Sequence, residues 1–103
     1  MAPEQAPGVA PAAEDWSELC LEERRETGYE RAVQLLRDCV SEAGFLASTS
    51  EKDNYRRIWG RDSVIMGLGA LATGQEELVD AYRRTLETLL ANQGPHGEVP
   101  SNV

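Results

Sequence analysis

Asp62-Ser63-Val64-Ile65-Met66-Gly67-Leu68-Gly69-Ala70-Leu71-Ala72-Thr73-Gly74-Gln75 is the stretch on which the fold class turns. Val64, Ile65, Leu68, Leu71 and Ala72 recur at helical spacing and line one side of a helix. Asp62 and Ser63 are both good N-cap residues, which places the start there, and Gly74 stops it. Gly67 and Gly69 each cost about 1 kcal/mol relative to Ala inside a helix, so they point to a close approach by another backbone or a ligand. A further helix is expected from Gln75 to Asn92, with Leu78, Val79, Tyr82, Leu86, Leu89 and Leu90 on its apolar face. Arg83, Arg84 and Glu87 then face water, and Glu76 and Glu77 suit the positive end of the helix dipole. The tight Gly74 connection folds the two helices back as an antiparallel hairpin.

Upstream, Tyr29, Ala32, Val33, Leu36, Val40 and Ala43 also recur at helical spacing, and Gly44 follows as a C-cap. The acidic stretch from Glu14 to Arg25 carries only Trp16, Leu19 and Leu21 as apolar points and fits a short helix or a docked strand. Residues 1–13 form an Ala/Pro tail whose Pro3, Pro7 and Pro11 forbid regular helix, and disorder is expected there. Phe45 to Trp59 has no helical period and contains Ser48-Thr49-Ser50, a loop composition; the end from Asn54 to Trp59 fits extended chain. Past the last helix, Gly94-Pro95-His96-Gly97 reads as a turn, followed by Glu98 to Val103 with no helix or strand. The expected organisation is all-α: a tail over 1–13, a helical segment over 14–44 and a hairpin region over 45–103.

The 103 residues are 41% apolar and 27% charged, an ordinary globular mixture with room for one small domain. The net charge of −8 sets the surface against phosphate backbones and anionic membranes, which argues against nucleic acid and lipid as partners. Cys20 and Cys39, nineteen apart with His96 far away, match no metal-ligand spacing, and neither a metal nor another cofactor is expected. Met1-Ala2-Pro3-Glu4 has neither a basic nor an apolar leader region, and no apolar run approaches membrane-spanning length. Reduced, inert thiols in a cytoplasmic protein follow.

Chemistry concentrates between Asn54 and Asp62, where Asn, Tyr, two Arg, Trp, another Arg and Asp fall within nine residues. An indole stacks on the apolar face of a pyranose, while Arg and Asp fork onto neighbouring hydroxyls. Placed at a helix start, Arg61 and Asp62 would be rigidly aimed. Taken alone, the pair reads first as a helix-start ion pair with Asp62 capping backbone N–H groups, since such caps are common. Trp59 alone reads as a core anchor, Arg56 and Arg57 as a solvated or ion-paired stretch, and His96 as a surface turn residue.

Asn54-Tyr55-Arg56-Arg57-Ile58-Trp59-Gly60-Arg61-Asp62, a Gly-rich apolar helix, a second helix ending in Gln93, and Gly97-Glu98-Val99-Pro100 together resemble a known enzyme group. The stretch from Phe45 to Val103 is similar to the start of the catalytic domain of glycogen-debranching amylo-α-1,6-glucosidases. Glucoamylases, bacterial trehalases and neutral invertases are related to these enzymes. The resemblance implies the first hairpins of an (α/α)6 toroid, incomplete in this chain, and a glycoside hydrolase acting on an oligosaccharide or polysaccharide. It implies that Arg61 and Asp62 hold the non-reducing sugar, with Trp59, Tyr55 and Asn54 in the pocket wall. Gln93, Pro100 and Asn102 match the next rim of the family pattern.

Inverting glycosidases need a general acid and a general base roughly 6.5–9.5 Å apart. In this group those carboxylates come from later hairpins, so the chain is expected to bind sugar with no catalytic residue of its own. The remainder of its catalytic domain is then its natural partner. Invertase-like and trehalase-like members share the Arg-Asp entrance, which leaves the sugar open. A small helical protein-interaction module without activity is the rival from another class. It predicts a chain that folds cooperatively by itself, where the glycosidase reading predicts apolar faces meant for further hairpins.

Overall fold

The computed structural model of the chain describes residues 13–50 and 55–103. The Ala/Pro tail up to residue 12, and Asn54 with it, lies outside the described residues. Two units make up the chain, residues 1–35 and 36–103.

In the first unit a 3-10 turn, Ala13–Glu18, precedes helix α1, Leu21–Asp38, whose last three residues belong to the second unit. The acidic stretch is therefore helical, and α1 starts well before Tyr29. Glu23 supplies the start signal: its carboxylate accepts the Cys20 N–H at 3.1 Å, one half of a capping box. Hydrogen bonding from the Cys20 thiol, and then from its backbone N–H, holds the Glu23 carboxyl below the usual carboxylate range. Arg24 ties the preceding turn to the helix by donating to the carbonyls of Trp16, Ser17 and Leu19 at 3.1–3.2 Å. The Trp16 ring lies against Gly28, and the Arg31 guanidinium sits 5.4 Å from its centroid. Thr27 and Val33 are buried, while Tyr29, expected on the apolar face, is exposed.

In the second unit, the expected continuation of the helix through Ala43 gives way to a small antiparallel sheet. Strand β1, Val40–Ser41, pairs with β2, Gly44–Phe45, in the register Val40 with Phe45 and Ser41 with Gly44. The protein is therefore mostly helical with a two-stranded sheet rather than purely α. Tertiary partners decide this against the local pattern. Helix α3, Glu76–Ala91, offers Arg84 to the Ser41 carbonyl, Thr88 to the Ala43 carbonyl at 2.6 Å, and the Thr85 hydroxyl to the Phe45 N–H at 2.8 Å. Gly44 is a hairpin residue at φ +123°, not a helix cap; a Cβ there would overlap the Thr85 side chain. Arg84, expected in water, is half-buried by this arrangement.

Helix α2, Gly60–Thr73, and α3 form the expected hairpin, with Gly74 in the left-handed conformation at φ +67°. Two features of α2 differ from expectation. It starts at Gly60 with Trp59 as N-cap and no side-chain cap bond, so Asp62 and Ser63 lie inside the first turn. Ser63 Oγ donates instead to the Phe45 carbonyl at 3.3 Å.

The helix also turns its small side inward. Ser63, Gly67 and Ala70 are buried, while Val64, Ile65, Leu68 and Leu71 are exposed. Small residues let the helices approach closely: a Cβ on Gly67 would overlap the Tyr82 ring. Leu78, Ala81, Thr85 and Leu89 form the matching buried side of α3, leaving Leu86 and Leu90 exposed.

The segment expected to trail off after Gly97 is paired. Ile58 N–H donates to the Val103 carbonyl at 3.1 Å and Val103 N–H to the Ile58 carbonyl at 2.8 Å. Trp59 stands opposite Asn102 in an antiparallel bridge. Among the described residues no helix is long and apolar enough to cross a membrane.

The two helix glycines should respond oppositely to alanine. Gly67→Ala meets the Tyr82 ring and should lower stability by about 1–3 kcal/mol. Exposed Gly69 has only an ordinary 3.8 Å neighbour, so Gly69→Ala should raise stability by up to about 1 kcal/mol. Urea unfolding of both variants measures this, and shifts in the same direction would contradict the packing described.

Candidate functional site

The loop after β2 returns to the body through two backbone bonds, Leu46 N–H to the Cys39 carbonyl at 2.8 Å and Ala47 N–H to the Arg57 carbonyl at 2.9 Å. Ile58 is then 2% exposed and anchors the extended stretch. In extended chain successive side chains point to opposite faces, so burying Ile58 turns Trp59 outward. Trp59 is half-buried at φ −99° and ψ 125°, with the Tyr55 ring 5.4 Å from its own and tilted by 36°. Tyr55 itself is exposed. This pair forms an aromatic step at the mouth of α2.

One residue further, Gly60 opens the helix. Its N–H donates to the Ser101 carbonyl at 3.0 Å, and Ser63 N–H returns to the Trp59 carbonyl at 2.8 Å. A Cβ at Gly60 would come 3.1 Å from the Pro100 carbonyl oxygen, tighter than ordinary contact, so the crossing strand favours glycine here.

Arg61 and Asp62 follow in the first turn, with Arg61 Nε 3.7 Å from Asp62 Oδ1. The Arg61 side chain is 82% exposed and that of Asp62 37%. At that distance the two attract without a hydrogen bond, which leaves the carboxylate's lone pairs available to hydroxyl donors. The positive end of α2 favours the anion. Asp62 does not cap the helix, so the capping role that sequence alone allows it is not the one it fills.

The structure thus brings Tyr55, Trp59, Arg61 and Asp62 together at one end of α2, with Asn54 outside the described residues. Asn102 joins them through a bond from Arg57 Nη1 to Asn102 Oδ1 at 3.0 Å, a contact spanning 45 residues that no local pattern announces. Pro100 lies against Gly60. Gln93 is instead engaged in its own turn, its Nε2 donating to the Gly97 carbonyl at 2.6 Å. Glu98 is also local, accepting the His96 N–H at 2.9 Å, and His96 is exposed in that turn.

Beside this end lies an apolar groove of about 320 Å³ lined by Val64, Leu86, Leu89, Leu90, Gln93 and Val99. Among the described residues no cluster of three His, Cys, Asp or Glu could hold a metal. Both cysteines are free thiols. Burial, with the Asp38 charge beside it, pushes the Cys39 thiol up and keeps it in the unreactive protonated form. Comparison with known proteins brings no relative: no family model, curated protein or solved structure matches the chain.

An arginine this exposed, with its carboxylate beyond hydrogen-bond distance, contributes little to folding. Arg61→Ala should change the unfolding free energy by less than about 1 kcal/mol in a denaturant titration. A larger loss would make Arg61 a structural residue rather than a ligand-facing one.

Proposed function

We propose that this chain is the opening part of a six-hairpin, (α/α)6-toroid glycoside hydrolase acting on α-glucosides, of the amylo-α-1,6-glucosidase and glucoamylase kind. The observation that carries the reading is Trp59-Gly60-Arg61-Asp62 at the start of α2, with the strand that follows Gly97-Glu98-Val99-Pro100 running back alongside it. Trp59 and Tyr55 offer aromatic surface to the apolar face of a glucosyl ring. Arg61 donates to its hydroxyls and Asp62 accepts from them, charge-assisted bonds that outweigh neutral ones.

The exposed side of the hairpin supports the same reading. Val64, Ile65, Leu68 and Leu71 on α2 and Leu86 and Leu90 on α3 are all exposed. So large an apolar side is unusual on a free surface and ordinary where further hairpins cover it. The acid that protonates the leaving oxygen and the base that activates water belong to those later hairpins. In this role the 103 residues grip the sugar and do not cut it, in a cytoplasmic enzyme of carbohydrate metabolism.

Calorimetric titration of the chain with isomaltose, maltose, trehalose and sucrose tests the proposal. Weak binding of α-glucosides is expected, with Asp62→Ala reducing the affinity about tenfold or more and no free glucose released. A wild-type chain that binds none of the four, or an Asp62→Ala chain that binds as well as wild type, would sink it.

A further inference from the structure

The grip residues sit on a helix start that no side chain caps by a hydrogen bond. Trp59 gives α2 no side-chain cap, and the first helical N–H, on Gly60, goes to a carbonyl 41 positions further along the chain, that of Ser101. The shape of the Trp59-to-Asp62 turn therefore depends on how the 101–103 strand lies against 58–60. That ladder has three backbone bonds: the reciprocal pair between Ile58 and Val103, and Gly60 to Ser101. A two-stranded ribbon this short is marginal in water and weakly specified in register. A slip by one residue would turn Ile58 out of the core and carry Trp59 inward. Something beyond backbone pairing must hold the register.

Asn102 meets that need. It stands directly opposite Trp59, so the two side chains share a face of the ladder, with Arg57 two residues before Trp59 on the same side. Arg57 Nη1 donates to Asn102 Oδ1 at 3.0 Å, a diagonal cross-strand bond with a charged donor. The amide of Asn102 donates from Nδ2 to Ser101 Oγ at 3.3 Å, which fixes which end of the carboxamide faces the arginine. Pro100, immediately before, presses its carbonyl on Gly60. The turn over 94–98, latched by Gln93 to the Gly97 carbonyl and by Gly94 N–H to the Glu98 carbonyl, delivers the strand from the end of α3.

We propose that Asn102 is a positioning residue for the sugar grip, holding the Trp59-to-Asp62 turn in its binding shape through Arg57 and the ladder it registers. The role rests on the sugar-gripping reading above. It touches no sugar: its effect passes through the placement of Trp59 and the start of α2. An acceptor oxygen at position 102 is the whole requirement, so aspartate should serve and alanine should not.

The test uses the 103-residue chain in a Trp16→Phe background, where Trp59 is the only indole, since the chain has two tryptophans. Asn102→Ala should make Trp59 emission more quenchable by acrylamide and weaken isomaltose binding roughly fivefold, with far-ultraviolet helicity unchanged. Asn102→Asp should restore both. An Asn102→Ala chain with wild-type quenching and affinity overturns the role. So does an Asn102→Asp chain as impaired as the alanine variant, which would make the side chain a matter of packing. If the parent chain takes no isomaltose, the sugar reading fails by itself and quenching decides the positioning role. Loss in alanine with recovery in aspartate then supports it, and no change overturns it.

Discussion

The backbone of Phe45 is the point on which the second unit depends. Its side chain is fully buried, and so its N–H and C=O must find partners away from water. Thr85 on α3 accepts the first at 2.8 Å and Ser63 on α2 donates to the second at 3.3 Å. Thr85 in turn donates its own proton to the Ala81 carbonyl at 2.8 Å, so no buried polar atom in the chain of contacts is left over. One residue thereby fixes both helices of the hairpin relative to the small sheet. The requirement explains Gly44 as well, because only a residue without a side chain lets β2 lie this close to Thr85. Ser63 is also the neighbour of Asp62, so the contact that secures the core also anchors the turn that carries the proposed grip.

The start of α2 is held from two sides by unlike means. From below, Ser63 and Ile58 bury it; from above, the 101–103 strand supplies a carbonyl to Gly60. Neither contact is individually large, since a net hydrogen bond is worth about 1 kcal/mol. Together they hold the turn without a hydrogen bond from the side chain of Arg61 or Asp62, the two residues of the proposed grip. The surface ion pairs elsewhere on α3 differ. Arg83 and Arg84 both bond Asp80, holding its carboxyl low, and Arg83 also reaches Glu87, so those charges satisfy each other.

Local signals carried far into this fold. The periodicity of 62–92 and the punctuation at Gly74 made the hairpin legible, with α3 placed within one residue at each end and α2 starting at Gly60, ahead of the expected Asp62 or Ser63. The cluster of Trp, Arg and Asp at its start, on which the proposed grip rests, was visible in the sequence as well. What the sequence hid was long-range. Val40 and Ala43 keep a helical spacing with Leu36, yet the carbonyls of Ser41 and Ala43 are claimed by side chains more than forty residues away. The face of α2 misled for a related reason. Hydrophobicity points Val64, Ile65, Leu68 and Leu71 inward, but packing against Tyr82 selects the side with Ser63, Gly67 and Ala70. The partner of Gly60 lies on a strand with no strand-like alternation, and only its position after the 94–98 turn brings it there.

Residue-resolved nuclear magnetic resonance of the labelled chain during an isomaltose titration tests the central claim most directly. Amide shifts are expected to concentrate at Trp59, Gly60, Arg61 and Asp62 and to pass to Ser101 and Asn102 across the ladder, while the Phe45 amide stays in place. Shifts confined to the exposed leucines of α2 and α3, or none at any sugar concentration, would contradict it.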